Sequence, residues 1–393
     1  MKILIAGGGI GGLTAALCLA EQHHDVHVFE QSAQLEEIGA GIQLSPNATR
    51  VLHNLGLEQD LRQTAFLPEG TEFRDWRTGR VIASQALGEQ TIQQYGFPYY
   101  HIHRGDLLST LATAAARHPG ITVHTCHAVT AIVPSQPRVQ LTAGDQLHCG
   151  DLLIGADGIH SRVRATLWGT TPANFTGNVA WRVMIPKAAL PPGRIHPVSS
   201  VWWGPGKHFV HYFIQRGEWL NCVCVVEKSG WEIESWTQPG DLSELKADFA
   251  GWHPDIQMLL DLADSDRLFK WALFDRPAMP QWRRGHVTLL GDACHPTLPF
   301  MAQGAAMAIE DAAVLATCLN AAGDTVSRLQ RYETLRRPRT SWVQKSSRRN
   351  ARVFHLAGFS AWLRNRAAGK AGQQSMANLY RYDALNVDTN SGR

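Results

Sequence analysis

Short apolar runs alternate with helical stretches along the first 170 residues, the rhythm of strands feeding helices. Residues 2–6, KILIA, read as a buried parallel strand. GGGIGGLTAALCLAEQ follows as a turn and an Ala/Leu-rich helix, and DVHVFE as a second strand ending at Glu30. SPNATRVLHNLGL (45–57) predicts a helix with Ser45 as N-cap, Pro46 in its first position and Gly56 after its last turn. HRGDLLSTLATAAARHPG (103–120) predicts another, opened by Arg104 and closed by Pro119-Gly120. ITVHT, AVTAIV and RVQLTA predict a small meander, and DLLIGADG a strand that delivers Asp157 and Gly158 at its carboxyl end.

From residue 174 the period changes. FTGNVAWRVMI, VSSVWWG, KHFVHYFIQ and EWLNCVCVVE are strands separated by Pro/Gly turns, which predicts an antiparallel sheet. WHPDIQMLLDLA predicts a helix and FKWALFDRP a returning strand. A third apolar run, LL, ends in Gly291-Asp292; a loop with prolines at 296 and 299 then opens a helix at Gly304. From Arg328 to Arg366 the chain reads as helical and basic, with Pro338 expected to kink or interrupt it, and the last fifteen or so residues as frayed.

The fold expected is therefore α/β. A dinucleotide-binding, Rossmann-like domain over 1–72, 98–172 and 268–322 is interleaved with an antiparallel-sheet substrate domain over 73–97 and 173–267. Helices and a tail fill 323–393. The net charge of +3 is too small to favour nucleic acid as a partner. The seven cysteines are scattered, and Cys222-Val-Cys224 lacks the further ligands a zinc site needs, so no metal is expected. No stretch approaches about 18 unbroken apolar residues, and the glycines at 7–12 break the only run that imitates a signal peptide; a cytoplasmic location follows as the expectation.

Gly7-x-Gly9-x-x-Gly12 lies between a strand and a helix, with an acid closing the next strand. Gly7 permits the tight turn, Gly9 the approach of backbone N–H groups to a pyrophosphate, and Gly12 close helix–strand packing. The helix N-terminus adds roughly half a positive charge, and Glu30 suits an adenosine ribose. Gly39 and Gly41 again permit close backbone approach, and Gly41 is expected among the cofactor-binding residues. Two further strands end in Gly/Asp pairs, at Asp157-Gly158 and Gly291-Asp292, where ligands of open α/β sheets bind. Residues 208, 210 and 212 share one face of their strand, so His208 and Tyr212 are neighbours and His211 faces the other way, as a structural residue. Of the aromatic residues clustered here, including Trp181, Trp202, Trp203, Phe209 and Trp219, most are expected to be core.

GGGIGG, HRGDL, GADGIHSRVR and LLGDACHPTLPFMAQGAAMAIEDA in this order resemble the single-component flavoprotein aromatic hydroxylases, para-hydroxybenzoate-hydroxylase-like in fold, over roughly residues 1 to 365. The nearest in pattern are the salicylate, 3-hydroxybenzoate and 6-hydroxynicotinate hydroxylases. The resemblance implies FAD as cofactor and NADH or NADPH as a transient co-substrate. Glu30 would hold the ribose, Arg104 the diphosphate region and Asp292 the ribityl chain, while Asp157 would serve both nucleotides through structural hydrogen bonds. The helix from Gly304 would face the flavin N1–C2 edge, with backbone donors from Gln303 and Gly304, and Pro299 would wall the space over the ring. His208 and Tyr212 would face a small aromatic substrate, hydroxylated with O2 through a flavin C4a-hydroperoxide. Phe300 stands where the nicotinate enzyme has a histidine, which disfavours that substrate, and WRVMIP lacks the second Trp of the halogenase signature. A ring without a phenol, an N-heteroaromatic ring, and a non-hydroxylating NAD(P)H oxidase or sensor stay open. The basic tail suits packing on its own domain or in a homodimer better than a membrane surface.

Overall fold

The computed structural model describes residues 1–35, 41–134, 137–228, 230 and 238–389, apart from the side chains of 369–375. Gly39 lies outside the described residues. A six-stranded sheet carries the nucleotide end. Its strands run in the order Arg283–Arg284, Val287–Leu289, Leu152–Gly155, Lys2–Ala6, Asp25–Phe29 and Ile121–His124, all parallel but the first. Its central strands Lys2–Ala6, Leu152–Gly155 and Val287–Leu289 are apolar and almost wholly buried, as a sheet covered on both faces requires. Ile121–His124 thus joins this sheet rather than the meander, which consists of Val129–Val133, Val139–Ala143 and Gln146–Gly150. Its Val and Ile fit either place; pairing with Asp25–Phe29 extends the parallel sheet by one strand.

The second sheet has seven strands: Phe269–Asp275, Asn174–Pro186, Trp219–Glu227, Lys207–Ile214, Val198–Gly204, Gly70–Asp75 and Val81–Ala86. It is antiparallel except where Val198–Gly204 pairs in parallel with Gly70–Asp75. The expected boundaries shift accordingly. That at residue 72 falls inside Gly70–Asp75, and Phe269–Asp275 is hydrogen-bonded to Asn174–Pro186 rather than to the nucleotide sheet.

One face of this sheet packs on helices Leu242–Asp248 and Pro254–Asp261 through Trp181, Phe209, Phe249 and Trp252. The other carries Trp203, Val201, His208, Val210, Tyr212 and Val225, and packs on Leu298, Phe300 and Phe354. A single residue's shift in register would exchange these faces, so the pattern is strongly specified.

The C-terminal part is two helices, Thr325–Phe354 and Gly358–Tyr380. Pro338 does not interrupt the first, although proline removes one helical N–H. Side-chain bonds brace this stretch: Arg336 and Arg339 are ion-paired to Glu310 and Asp311 of helix Gly304–Asn320, and both guanidinium groups lie over the Tyr382 ring. The basic stretch is therefore partly interior. Among the described residues no helix is long and apolar enough to cross a membrane, and no cluster of side chains could hold a metal ion.

Candidate active site

Three neighbouring parallel strands end together, Ala6 in register with Gly155 and Gly155 with Leu289. This alignment sets the three glycine-bearing turns side by side. Gly7 adopts φ +105°, and a Cβ there would meet the Ala156 carbonyl oxygen at 2.5 Å. At Gly12 a Cβ would meet the Gly7 carbonyl at 2.0 Å. Both must be glycine for packing alone. Gly9, the N-cap of helix Ile10–Ala20, differs: a Cβ there would meet nothing within 4 Å, so its backbone borders open space.

Glu30 closes the second strand, and its carboxylate accepts from the Gly8 N–H at 2.8 Å and the Ser32 N–H at 2.9 Å. It therefore fixes the glycine turn as well as presenting an acid beside it.

Asp157 accepts from the Val163 N–H at 3.0 Å, and Ser161 caps helix Arg162–Trp168 through the Arg164 N–H at 2.9 Å. Burial raises the Asp157 carboxyl above its ordinary range against the pull of those N–H and hydroxyl donors. The Arg164 guanidinium donates to the carbonyls of Ile159 at 2.6 Å and Ala293 at 2.7 Å. It ties the second turn to the third, a role the sequence reading did not assign.

Asp292 is exposed at the surface of the third turn, yet surrounded closely enough by protein that desolvation raises its carboxyl, with His295 and Arg104 pulling the other way. An acid both accessible and crowded sits in a cleft. Arg104 opens helix Arg104–Arg117, and its charge reaches Asp292.

Helix Gly304–Asn320 begins beside this turn. Ala308, one turn in, would lie 3.2 Å from a Cβ at Gly11 and at Gly291 alike, so the starts of two helices and the third turn converge. The first N–H groups of this helix have no helical acceptor. The Gln303 side chain is committed inward, donating to Ser45 Oγ at 3.0 Å and accepting from Asn47 at 3.1 Å, which leaves backbone to face the cleft. At Gly304 a Cβ would meet nothing nearer than Thr297 at 3.7 Å.

The preceding loop is held rigid from outside. Gln344, Ser347 and Asn350 of the long helix donate to the carbonyls of Pro296, Leu298 and Phe300 at 2.8, 2.6 and 3.2 Å. Pro299 itself is exposed.

Across from this loop, His208 is buried, its ring centroid 5.2 Å from that of Phe300. Burial and the neighbouring His355 hold it neutral, well below the ordinary histidine range. Tyr212 donates to the Gly41 carbonyl at 2.6 Å, and Asn221 accepts from the Gly41 N–H at 3.1 Å. Gly41 thus makes its close approach to the substrate sheet, where a Cβ would meet Tyr212 at 2.8 Å. The Tyr212 hydroxyl is committed to that backbone. His211 faces the other way and accepts from the Trp202 indole at 3.1 Å. The sequence reading also passed over Arg182, buried on the face of His208 and Tyr212 with its guanidinium 4.7 Å from the Trp271 ring centroid. A cation inside an apolar sheet face was the available signal.

A separate cavity of about 380 Å³, lined by Arg50, His53, Glu58, Arg62 and Phe97, contains none of these residues. Its charges are paired, Arg62 with Glu58 at 2.8 Å and Arg50 with Asp383 at 2.6 Å, and none of the three turns lines it, so it is not the site.

The described site fits an elongated dinucleotide: open backbone at Gly9, an acid in a cleft at Asp292, and a free helix N-terminus between. Residues 1–347 match the family model described as an FAD binding domain. The chain belongs to this FAD-binding family, the single-component flavoprotein hydroxylases. It is 38% identical to a 3-amino-4-hydroxybenzoate 2-monooxygenase of Streptomyces platensis over 98% of this chain and 97% of that one. It is 36% identical to a 3-hydroxybenzoate 6-hydroxylase of Klebsiella oxytoca over 93% and 91%. Its fold superposes with a TM-score of 0.84 on Klebsiella pneumoniae HpxO complexed with FAD and uric acid, at 26% identity over 98% and 97% of the two chains. The protein is an FAD-dependent aromatic monooxygenase.

Proposed function

We propose that this monooxygenase hydroxylates a hydroxyaryl carboxylate, salicylate- or 3-hydroxybenzoate-like, with NAD(P)H and O2 in the cytoplasm. The observation that carries this reading is His208. Its Nδ1 is bonded, and its Nε2 has no hydrogen-bond partner among the described residues; it is a neutral imidazole on the sheet face that meets Phe300. Removing a phenolic proton raises the electron density of the ring, which attack by an electrophilic oxygen needs, and a neutral histidine is the base suited to that task. Arg182 supplies a buried positive charge on the same face, suited to a carboxylate.

FAD, when bound, carries reducing equivalents from NAD(P)H and activates O2. Gly9 and the first N–H groups of the Gly304 helix would hold it with Glu30, Arg104 and Asp292. Asp157 would brace the second turn, and Pro299 with Phe300 would keep water from the ring face. Tyr212 holds the wall at Gly41. The exposed Phe359, Trp362 and Leu363 on the last helix are where a second copy would pack.

The FAD-loaded protein should oxidise NADH or NADPH faster with one of 3-hydroxybenzoate, salicylate or 3-amino-4-hydroxybenzoate than without, and yield a hydroxylated ring. His208→Ala should keep FAD and lose at least tenfold in hydroxylation; unchanged turnover in that variant overturns the role of His208. Stimulated oxidation without aromatic product would make the protein an oxidase.

A further inference from the structure

His208 does not stand alone. Its Nδ1 lies 2.8 Å from His355 Nε2, and His355 Nδ1 lies 2.8 Å from Glu227 Oε1. The His355 side chain is 2% exposed and that of Glu227 is 56% exposed. Three titratable groups thus form an unbroken hydrogen-bonded line from the buried sheet face to solvent. They come from three separated segments: strand Lys207–Ile214, the end of strand Trp219–Glu227, and the residue that caps helix Thr325–Phe354.

The hairpin tip sets the alignment. The Gly206 N–H donates to the His355 carbonyl at 3.1 Å, and the Glu227 N–H donates to the Gly206 carbonyl at 2.8 Å. Gly206 has φ +66°, so a glycine lets one tight turn hold both outer members. Phe300 and Phe354 close the apolar side of His208, with ring centroids 5.2 and 5.4 Å away.

We propose that His208, His355 and Glu227 form a proton relay that carries the proton of a bound phenol to solvent; this rests on the reading of His208 as the base. The substrate O–H bond breaks as its proton joins His208 Nε2. The Nδ1 proton of His208 then passes to His355 Nε2, and the Nδ1 proton of His355 passes to Glu227, which releases it to water. One proton leaves the substrate and one enters solvent, so neither imidazole holds a net charge afterwards. Return flow along the same line resets both tautomers when product is reprotonated.

The surroundings suit transit rather than storage of charge. Burial lowers the basicity of both imidazoles; Glu227 counters this at His355, and Arg364 adds to it. Arg364 donates to the carbonyls of Val353 and Phe354 and feels Asp75. The carboxyl end of the long helix also favours a passing positive charge at His355.

The test uses the FAD-loaded full chain with 3-hydroxybenzoate and 3-amino-4-hydroxybenzoate. The absorbance change on ionisation of the bound ring is followed by rapid mixing across pH. Glu227→Gln, at an exposed position, should bind FAD and the acid as before, yet slow ionisation at least tenfold and make its rate rise with buffer concentration. His355→Gln keeps hydrogen-bonding groups but cannot pass a proton, and should do the same, lowering kcat more than it raises KM. Unchanged ionisation rates in Glu227→Gln overturn the relay, as does a slowed rate that no buffer restores. If His208→Ala slows hydroxylation while Glu227→Gln alters nothing, the relay falls and the base stands. If His208→Ala alters nothing, the base reading falls first.

Discussion

The Arg164 guanidinium joins Ile159 and Ala293, carbonyls of two turns separated by more than a hundred residues, at 2.6 and 2.7 Å. Each bond has a charged donor, worth about 1.5–3 kcal/mol. Arg164→Met should let the third turn drift from the second and weaken FAD binding about tenfold or more, since about 1.4 kcal/mol is a factor of ten. Titration of the apoprotein with FAD checks this; an unchanged Kd would show that the turns hold their spacing without the tether.

The glycines of the first turn divide into two kinds. Gly12→Ala forces a Cβ to 2.0 Å from the Gly7 carbonyl and should lower the yield of folded protein. Gly9→Ala meets nothing within 4 Å and should leave the thermal midpoint of the apoprotein within a degree or two, while lowering FAD affinity because the methyl occupies the phosphate's space. Apoprotein melting and FAD titration separate the two. If Gly9→Ala binds FAD like the parent, the pyrophosphate does not approach there.

Gly7 and Gly12 were legible in the sequence because a turn's needs are local: a positive φ or a close contact leaves glycine where almost nothing else fits. The strand ends at Asp157 and Asp292 were legible for the same reason. What local pattern does not carry is partner choice. Ile121–His124 is a strand by composition, but only the folded sheet shows that it joins a parallel pair. Arg336 and Arg339 look like solvated cations in a basic run until Glu310 and Asp311 arrive from another helix. Arg164 and His355 likewise acquire their roles from residues more than a hundred positions away.

That buried charge cluster sets a response to acid. Burial pushes the Asp311 carboxyl up, but His295 at 2.5 Å and Arg336 at 2.6 Å more than offset it, and it ends below its ordinary range. Glu310 ends below its own through Arg339 and Arg336. A carboxylate depressed by folding adds stability that is complete above its unfolded pKa, about 3.9 for Asp and 4.3 for Glu. That stability is lost as pH falls through the lower folded value. Stability should therefore drop steeply below about pH 4. Arg336→Met should cost about 3–5 kcal/mol near neutrality, because two buried acids lose a partner, and should flatten the acid limb. Urea unfolding at several pH values checks both; an unaltered acid limb would place the acid sensitivity elsewhere.

The loop carrying Pro299 and Phe300 takes its rigidity from Gln344, Ser347 and Asn350, not from proline alone. Each of these side chains satisfies a loop carbonyl, and losing one costs about 1 kcal/mol of local order. None touches the turns at Gly9, Asp157 or Asp292. Ser347→Ala should thus retain FAD at parental affinity but let water reach the ring face more often. Water there competes with insertion of oxygen into the substrate, because exclusion of solvent is what protects a reactive site. The expected result is NAD(P)H oxidation at a similar rate, with a larger share of the oxygen consumed appearing as hydrogen peroxide and less as hydroxylated ring. Asn350→Ala, which frees the Phe300 carbonyl beside His208, should shift that ratio further. Peroxide and product measured against NAD(P)H consumed decide it; a coupling ratio equal to the parent's in both variants would mean that the apolar contacts of Leu298 and Phe300 alone keep the loop closed.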